Sequence, residues 1–394
     1  MRRQPCAAGL QRASHALSDE NACEIKVTVL VTIISIKYDW LLTNHQPLLC
    51  IAQNRERLMP EASTLSSSVV ALARGAVVHP ARNPGAPFDA SWFDDLRVNQ
   101  SAVERRTATL GTRRTVKKDA QAAWLLKAIT CIDLTTLSGD DTEGRVRRLC
   151  AKARQPVRAD ILAELGIAPH GITTGAVCVY HRFVATAVDA LRGSGIPVAA
   201  VSTGFPAGLN PHELKLKEIE ASVADGAEEI DIVVTREYVL TGNWRALYDE
   251  VRDFRAACGA AHLKAILATG DIRTLSNVAR ASMVCMMAGA DFIKTSTGKE
   301  GVNATLDVSL VMVRMIREYH ARTGVLIGFK PAGGVSDAKT ALLYQILMKE
   351  ELGRAWLEPE LFRIGASSLL ADIERQLEHH ASGRYSAFNR HPVA

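Results

Sequence analysis

Two lysines stand where an apolar strand ordinarily keeps none. In Ala290-Asp291-Phe292-Ile293-Lys294-Thr295-Ser296-Thr297-Gly298-Lys299 a strand-like run ends in lysine and passes into a polar turn. Gly328-Phe329-Lys330-Pro331-Ala332-Gly333-Gly334 repeats the pattern. Desolvating an ammonium group is expensive, so a buried lysine is either paired or gives up its proton, and the neutral amine is a nucleophile. Two ammonium groups close together depress each other's proton affinity, which leaves one neutral and the other a cation, the arrangement Schiff-base chemistry needs. Asp133 in Ile132-Asp133-Leu134 and Asp231 in Glu229-Ile230-Asp231-Ile232-Val233-Val234 are the carboxylates that could move protons or steady the cation. Alone, each would read as a satisfied structural group; beside two strand-end lysines, each reads as part of a site. Lys264 begins its apolar run, Lys264-Ala265-Ile266-Leu267-Ala268, and is expected to lie away from the chemistry.

Three consecutive turns offer groups suited to a phosphate. Gly298 and Lys299, then Gly333 and Gly334, then Ser367 and Ser368 after Gly365-Ala366 supply backbone N–H groups, hydroxyls and one cation. Any tight turn uses glycine, so the weight lies in three such turns at successive strand ends. A metal site is not expected. Histidines His170, His181, His212, His262, His320, His379 and His380 fall mostly outside strand ends, and the eight cysteines are scattered with no C-x-x-C pair. That cysteine usage suits a reduced, cytoplasmic protein.

The elements that must position these groups recur along the chain. Short apolar segments appear at Cys131–Leu134, Ala176–Val179, Val198–Val201, Glu229–Val234, Lys264–Ala268, Phe292–Lys294, Leu326–Lys330 and Leu361–Gly365, with helical stretches between them. Their starts are about 22 to 45 residues apart, and about 250 residues is the usual size of an eight-stranded (β/α)8 TIM barrel, an α/β fold. In such a barrel chemistry gathers at the C-terminal ends of the strands, where Lys294 and Lys330 stand on neighbouring strands about 4.8 Å apart. An open doubly wound sheet is the alternative; it should show G-x-G-x-x-G after its first strand, where this chain has Leu134-Thr135-Thr136-Leu137-Ser138-Gly139.

With 394 residues, 47% hydrophobic and 23% charged, the chain has ample material for one large domain, and a net charge of +5 is too diffuse for a nucleic-acid footprint. Residues 1–88 read as a poorly structured extension and 89–394 as the barrel domain, with a helical lead-in over 89–130. Met1 to Ser18 carries arginines and no acid, loosely the composition of a transit peptide. The apolar run Val27–Ile36 is shorter than the roughly 20 residues a membrane span needs. Met59 is a candidate start of translation. No membrane partner follows from this, and a homo-oligomer is left open.

From Phe88 to Arg384 the sequence resembles the deoxyribose-phosphate aldolases, class I enzymes, and more the animal-type branch than the short bacterial one. The resemblance rests on Ile132-Asp133-Leu134-Thr135-Thr136-Leu137, Glu229-Ile230-Asp231, the two lysine segments and Phe362-Arg363-Ile364-Gly365-Ala366-Ser367-Ser368-Leu369-Leu370. It implies reversible cleavage of 2-deoxy-D-ribose 5-phosphate to acetaldehyde and D-glyceraldehyde 3-phosphate, in deoxynucleoside catabolism. Lys294 would form the Schiff base, Lys330 would tune it, and Asp231 would relay protons with Asp133 in support. No cofactor is implied. Cys178 lies near the expected pocket as a buried thiol.

The chain departs from the family pattern in its extension, in Ser336 where members often carry arginine, and in a tail running past Tyr385. A different class I aldolase or transaldolase would share the lysine but not this pairing. A metal-dependent barrel enzyme would need clustered ligands, and a barrel kept only for binding should have lost Lys294, Lys330 or Asp231.

Overall fold

The structure is a computed structural model that describes residues 81–168, 171–387 and 389–391. Eight parallel strands form the centre: β1 (Ile132–Thr135), β2 (Ala176–Tyr180), β3 (Val198–Ser202), β4 (Glu229–Val233), β5 (His262–Ile266), β6 (Phe292–Lys294), β7 (Gly328–Lys330) and β8 (Ile364–Ala366). From β1 to β7 each pairs with the next in sequence, and β8 returns to β1. The remaining seam, between β7 and β8, is closed by bridges from Phe329 to Phe362 and from Ala332 to Gly365. The result is the (β/α)8 barrel expected from the spacing. Strands covered on both faces must be apolar nearly throughout, and β2, β3 and β4 are buried along almost their whole lengths. The exceptions are charged side chains directed into the barrel.

The helices that cover the sheet begin on side-chain caps. Thr142, Thr274, Thr305 and Asp337 each accept a hydrogen bond from a first-turn N–H, starting the helices Glu143–Arg154, Leu275–Met287, Leu306–Thr323 and Ala338–Leu352. Such a cap is typically worth about 1 kcal/mol, and here it fixes where each loop at the barrel mouth ends.

The lead-in contains the helices Gln100–Ala108, Leu110–Arg113 and Lys118–Thr130. The chain is already docked before it. Asn83 is buried: its side chain donates to the Met286 carbonyl at 2.7 Å and the Ala290 carbonyl at 2.9 Å, and accepts from the Tyr319 hydroxyl at 3.1 Å. Its backbone N–H donates to Asp291 at 2.8 Å. The Ala86 N–H reaches the Met287 carbonyl, and the Ala86 carbonyl accepts from the Tyr248 hydroxyl. The folded body therefore begins at least as early as Arg82, before the boundary at 88 expected from composition. The reason is that a short polar strap satisfies carbonyls at the barrel's base, a role with no apolar signature. The run Val27–Ile36 and Met59 lie outside the described residues.

Candidate active site

Lys294, Lys330, Asp231 and Asp133 meet inside the barrel, all buried. Strand register puts Lys294 beside Lys330 and Asp231 beside Lys264. One oxygen, Asp231 Oδ2, accepts from Lys294 Nζ and from Lys330 Nζ, each at 2.7 Å. Lys330 also donates to Asp133 Oδ2.

The expectation for Lys264 is corrected. Strand β5 starts two residues earlier, at His262, so Lys264 is mid-strand and fully buried. Its Nζ donates to Asp133 Oδ2 at 3.0 Å and to Glu229, and stands 3.3 Å from Asp231 Oδ1. Side chains two apart on a strand share a face, so Glu229 and Asp231 both point inward. Arg363 closes the inner layer, reaching Asp133 Oδ1 at 2.6 Å and Glu229 at 2.8 Å. From sequence, neither Glu229 nor Arg363 is singled out, and Lys264 is set aside. The period-two pattern Glu229-Ile230-Asp231 was the available signal for the first; partners on other strands leave no mark within one strand.

Four cationic side chains thus face three carboxylates in a space without water-like screening. One proton fewer would balance the cluster. The lysine whose proton affinity is lowered is Lys294: burial lowers it by more than Asp231 raises it, and the Lys330 charge lowers it further. Burial also opposes the charge on Lys330, but Asp133 and Asp231 override it and hold that ammonium well above the ordinary lysine range. Asp133, Asp231 and Glu229 keep Lys264 protonated against its burial in the same way. Burial would raise the carboxyls of Asp133, Glu229 and Asp231, yet Lys264 and its cationic neighbours hold all three below the usual range. Asp231 Oδ1 has no hydrogen-bond donor. The arrangement can therefore present a neutral amine next to a retained ammonium and an ionised carboxylate.

The source of the desolvation is visible. Cys178, Ala199, Val201, Phe205, Val233 and Ile266 make an apolar cluster within the barrel, with Leu137 and Tyr180 packed against it. Ile266 pairs in register with Lys294. Burial pushes the Cys178 thiol up, consistent with a structural group.

The expected phosphate residues separate into two places. Gly298 and Gly333 face each other: a Cβ on Gly298 would stand 3.9 Å from the Gly333 Cα. Gly333 has φ +80° and a Cβ there would fall 2.7 Å from Asn303, so only glycine fits. Gly334 follows it. Ala332 is tied to Thr295 by a 3.0 Å hydrogen bond and to Gly365 by a bridge. Gly365 has to lack a side chain, because a Cβ would come 2.8 Å from Ala332 and 3.3 Å from the Lys330 stem. Ser367 and Ser368 are exposed just before the helix Leu369–Ser382. These residues share the rim over β6, β7 and β8. Lys299 instead lines a crevice of about 480 Å³ toward the β3, β4 and β5 loops, with Arg236 and Glu300. Ser336 is exposed in the β7 loop.

Barrel and site together define a (β/α)8 protein with a buried cluster of lysines and carboxylates at its centre. The chain belongs to the DeoC/LacD family of aldolases, whose family pattern matches residues 127–374. It is 58% identical over 316 residues to the deoxyribose-phosphate aldolase of Homo sapiens, covering 80% of this chain and 99% of that one. Against the deoxyribose-phosphate aldolase of Mus musculus the identity is 59% over 312 residues, covering 79% of this chain and 98% of the other. Among solved structures, the tetrameric deoxyribose phosphate aldolase of Aeropyrum pernix aligns with 71% of this chain and 99% of its own at 21% identity and a TM-score of 0.50, a likeness of fold.

Proposed function

We propose that this chain is a deoxyribose-phosphate aldolase that cleaves 2-deoxy-D-ribose 5-phosphate reversibly to acetaldehyde and D-glyceraldehyde 3-phosphate. The observation that carries the reading is the sharing of one Asp231 oxygen by two lysines, of which only Lys294 has its burial outweigh the pull of the carboxylates. The neutral Lys294 amine adds to the aldehyde carbon of the open-chain sugar, and loss of water gives a protonated imine. That cation draws electrons from the bond between carbons 2 and 3. As the bond breaks, the 3-hydroxyl gives up its proton and becomes the aldehyde of the leaving glyceraldehyde phosphate. Asp231, held well below the ordinary carboxyl range, passes this proton on rather than keeping it. Lys330 stays charged and, with Asp133, holds Asp231 in place. The remaining enamine takes a proton at its terminal carbon against the apolar wall of Val201, Val233 and Ile266. Water then releases acetaldehyde and frees Lys294. The iminium supplies the electrophilic activation, so the reaction needs no metal or organic cofactor.

The rim of Gly298, Gly333, Gly334, Ser367 and Ser368 faces the phosphate, and Lys299, which lines the neighbouring crevice, would have to swing toward the rim to reach it. We place the enzyme in the cytoplasm, in deoxynucleoside catabolism, as a homo-oligomer that engages neither nucleic acid nor membrane. Among the described residues no helix is long and apolar enough to cross a membrane. The test is a substrate panel scored by acetaldehyde release. Cleavage of 2-deoxyribose 5-phosphate far above other phosphosugars supports the reading, whereas cleavage of a different phosphosugar with none of this one would replace it by another aldolase activity.

A further inference from the structure

The β6 loop already holds an anion of its own. Glu300 folds back so that its carboxylate accepts from the Thr297 N–H at 3.0 and 3.1 Å and from the Gly298 N–H at 3.1 Å. Its side chain is 2% exposed, and one oxygen lies 3.6 Å from Arg236. Two backbone donors converging on one carboxylate form the kind of concavity that takes a phosphate oxygen equally well. Gly298 is one of the donors assigned above to the sugar phosphate, and it cannot serve both anions at full strength. A fixed negative charge within a few ångströms also opposes a second one.

A second position for the carboxylate is at hand. Arg236 donates to the Ala207 carbonyl at 2.7 Å and the Pro206 carbonyl at 3.1 Å, and pairs with Asp271 at 2.9 Å. It is thus fixed in the wall of the crevice by loops from β3 and β5. A rotation of the Glu300 side chain would tighten its existing contact with Arg236 and release the Thr297 and Gly298 N–H groups.

We infer that Glu300 is a specificity-determining residue: an internal carboxylate that occupies the phosphate donors of the β6 loop and moves to Arg236 when a substrate phosphate displaces it. The inference rests on the proposed phosphosugar reading. It makes phosphate binding a competition between two anions for the same N–H groups. Affinity for the phosphate is set by the difference between them, and a neutral group at position 300 shifts that balance toward the substrate.

The experiment measures inorganic phosphate binding by titration calorimetry to the full chain and to the Glu300→Gln and Glu300→Ala variants. Gln keeps an acceptor for the loop while removing the charge; Ala removes both. The expected result is phosphate binding tighter by about tenfold in Glu300→Gln, with the ratio of kcat/KM for 2-deoxyribose 5-phosphate over unphosphorylated 2-deoxyribose raised to a similar extent. Glu300→Ala should move phosphate binding in the same direction. Unchanged or weaker phosphate binding in Glu300→Gln overturns the inference and makes Glu300 a loop-ordering group. Tighter phosphate binding with no cleavage of the phosphosugar would leave this inference standing and refute the aldolase reading instead.

Discussion

Replacing Lys330 by methionine keeps an unbranched side chain one atom shorter and removes its charge, and the structure says what Lys294 should do in response. Both amines lie 2.7 Å from one Asp231 oxygen, so they can be no more than 5.4 Å apart. At about 5 Å and an effective dielectric constant of about 20, two unit charges repel by about 3 kcal/mol, or on the order of a hundredfold in proton affinity. Without Lys330, three cations would face three carboxylates, and the share of the pressure on Lys294 that comes from the Lys330 charge would be gone while its burial remains. Its ammonium form is then favoured, so the neutral fraction near pH 7 falls and the acid side of the rate profile moves to higher pH. The assay is the rate of borohydride-trapped adduct formation with acetaldehyde across pH 6 to 10, with circular dichroism confirming the fold. Slow trapping at neutral pH that recovers in alkali is expected. An acid limb that stays put, or a loss that no pH restores, would refute the charge argument.

Three further outcomes follow from other parts of the molecule. Asn83→Ala leaves the Met286 and Ala290 carbonyls and the Tyr319 hydroxyl without their partner, so urea denaturation should show a loss of about 2–4 kcal/mol. A chain starting at Phe88 should show the same deficit relative to one starting at residue 81; equal stability for both would contradict the docked strap. Ser336→Arg, in the exposed β7 loop, should lower the KM for the phosphorylated sugar by about tenfold and leave that for the unphosphorylated sugar nearly unchanged; equal changes would place position 336 away from the phosphate. The carboxyls of Asp133 and Asp231 ordinarily titrate near 3.8 and that of Glu229 near 4.5, and all three sit lower in the fold. The stability they confer is complete above about pH 5 and is lost as pH falls toward their folded values, so the thermal midpoint should drop steeply below pH 4; a midpoint insensitive to acid would show that the cluster is not ionised as described.

The parts of the site legible in the sequence were those whose signal lies within one segment. Lysine at the end of an apolar strand, followed by a glycine turn, appears twice, and parallel neighbours in a barrel bring such ends together, so Lys294 and Lys330 could be paired on paper. Asp231 was equally plain as a charge in an apolar run. Lys264 was misplaced because His262 hides the start of β5: a polar residue in a buried first position looks like loop. Correcting the start by two residues moves Lys264 from the strand's first position to its middle, level with Asp231 on β4. Arg363 and Glu229 were opaque for a different reason. Their partners lie on strands 134 residues apart in sequence, and register between distant strands is set by closure of the barrel rather than by local pattern. Glu300 was passed over because a glutamate beside a lysine in a turn reads as a solvated pair, whereas it bends back to the backbone.

The central claim is that Lys294, and no other amine of the cluster, carries the chemistry. Incubation with 2-deoxyribose 5-phosphate, reduction with borohydride and mass mapping of the resulting peptides tests it directly, because only a protein imine is fixed by reduction. The account predicts one stable two-carbon adduct, on the peptide containing Lys294. An adduct on Lys264 or Lys330, or none on any lysine, would contradict it.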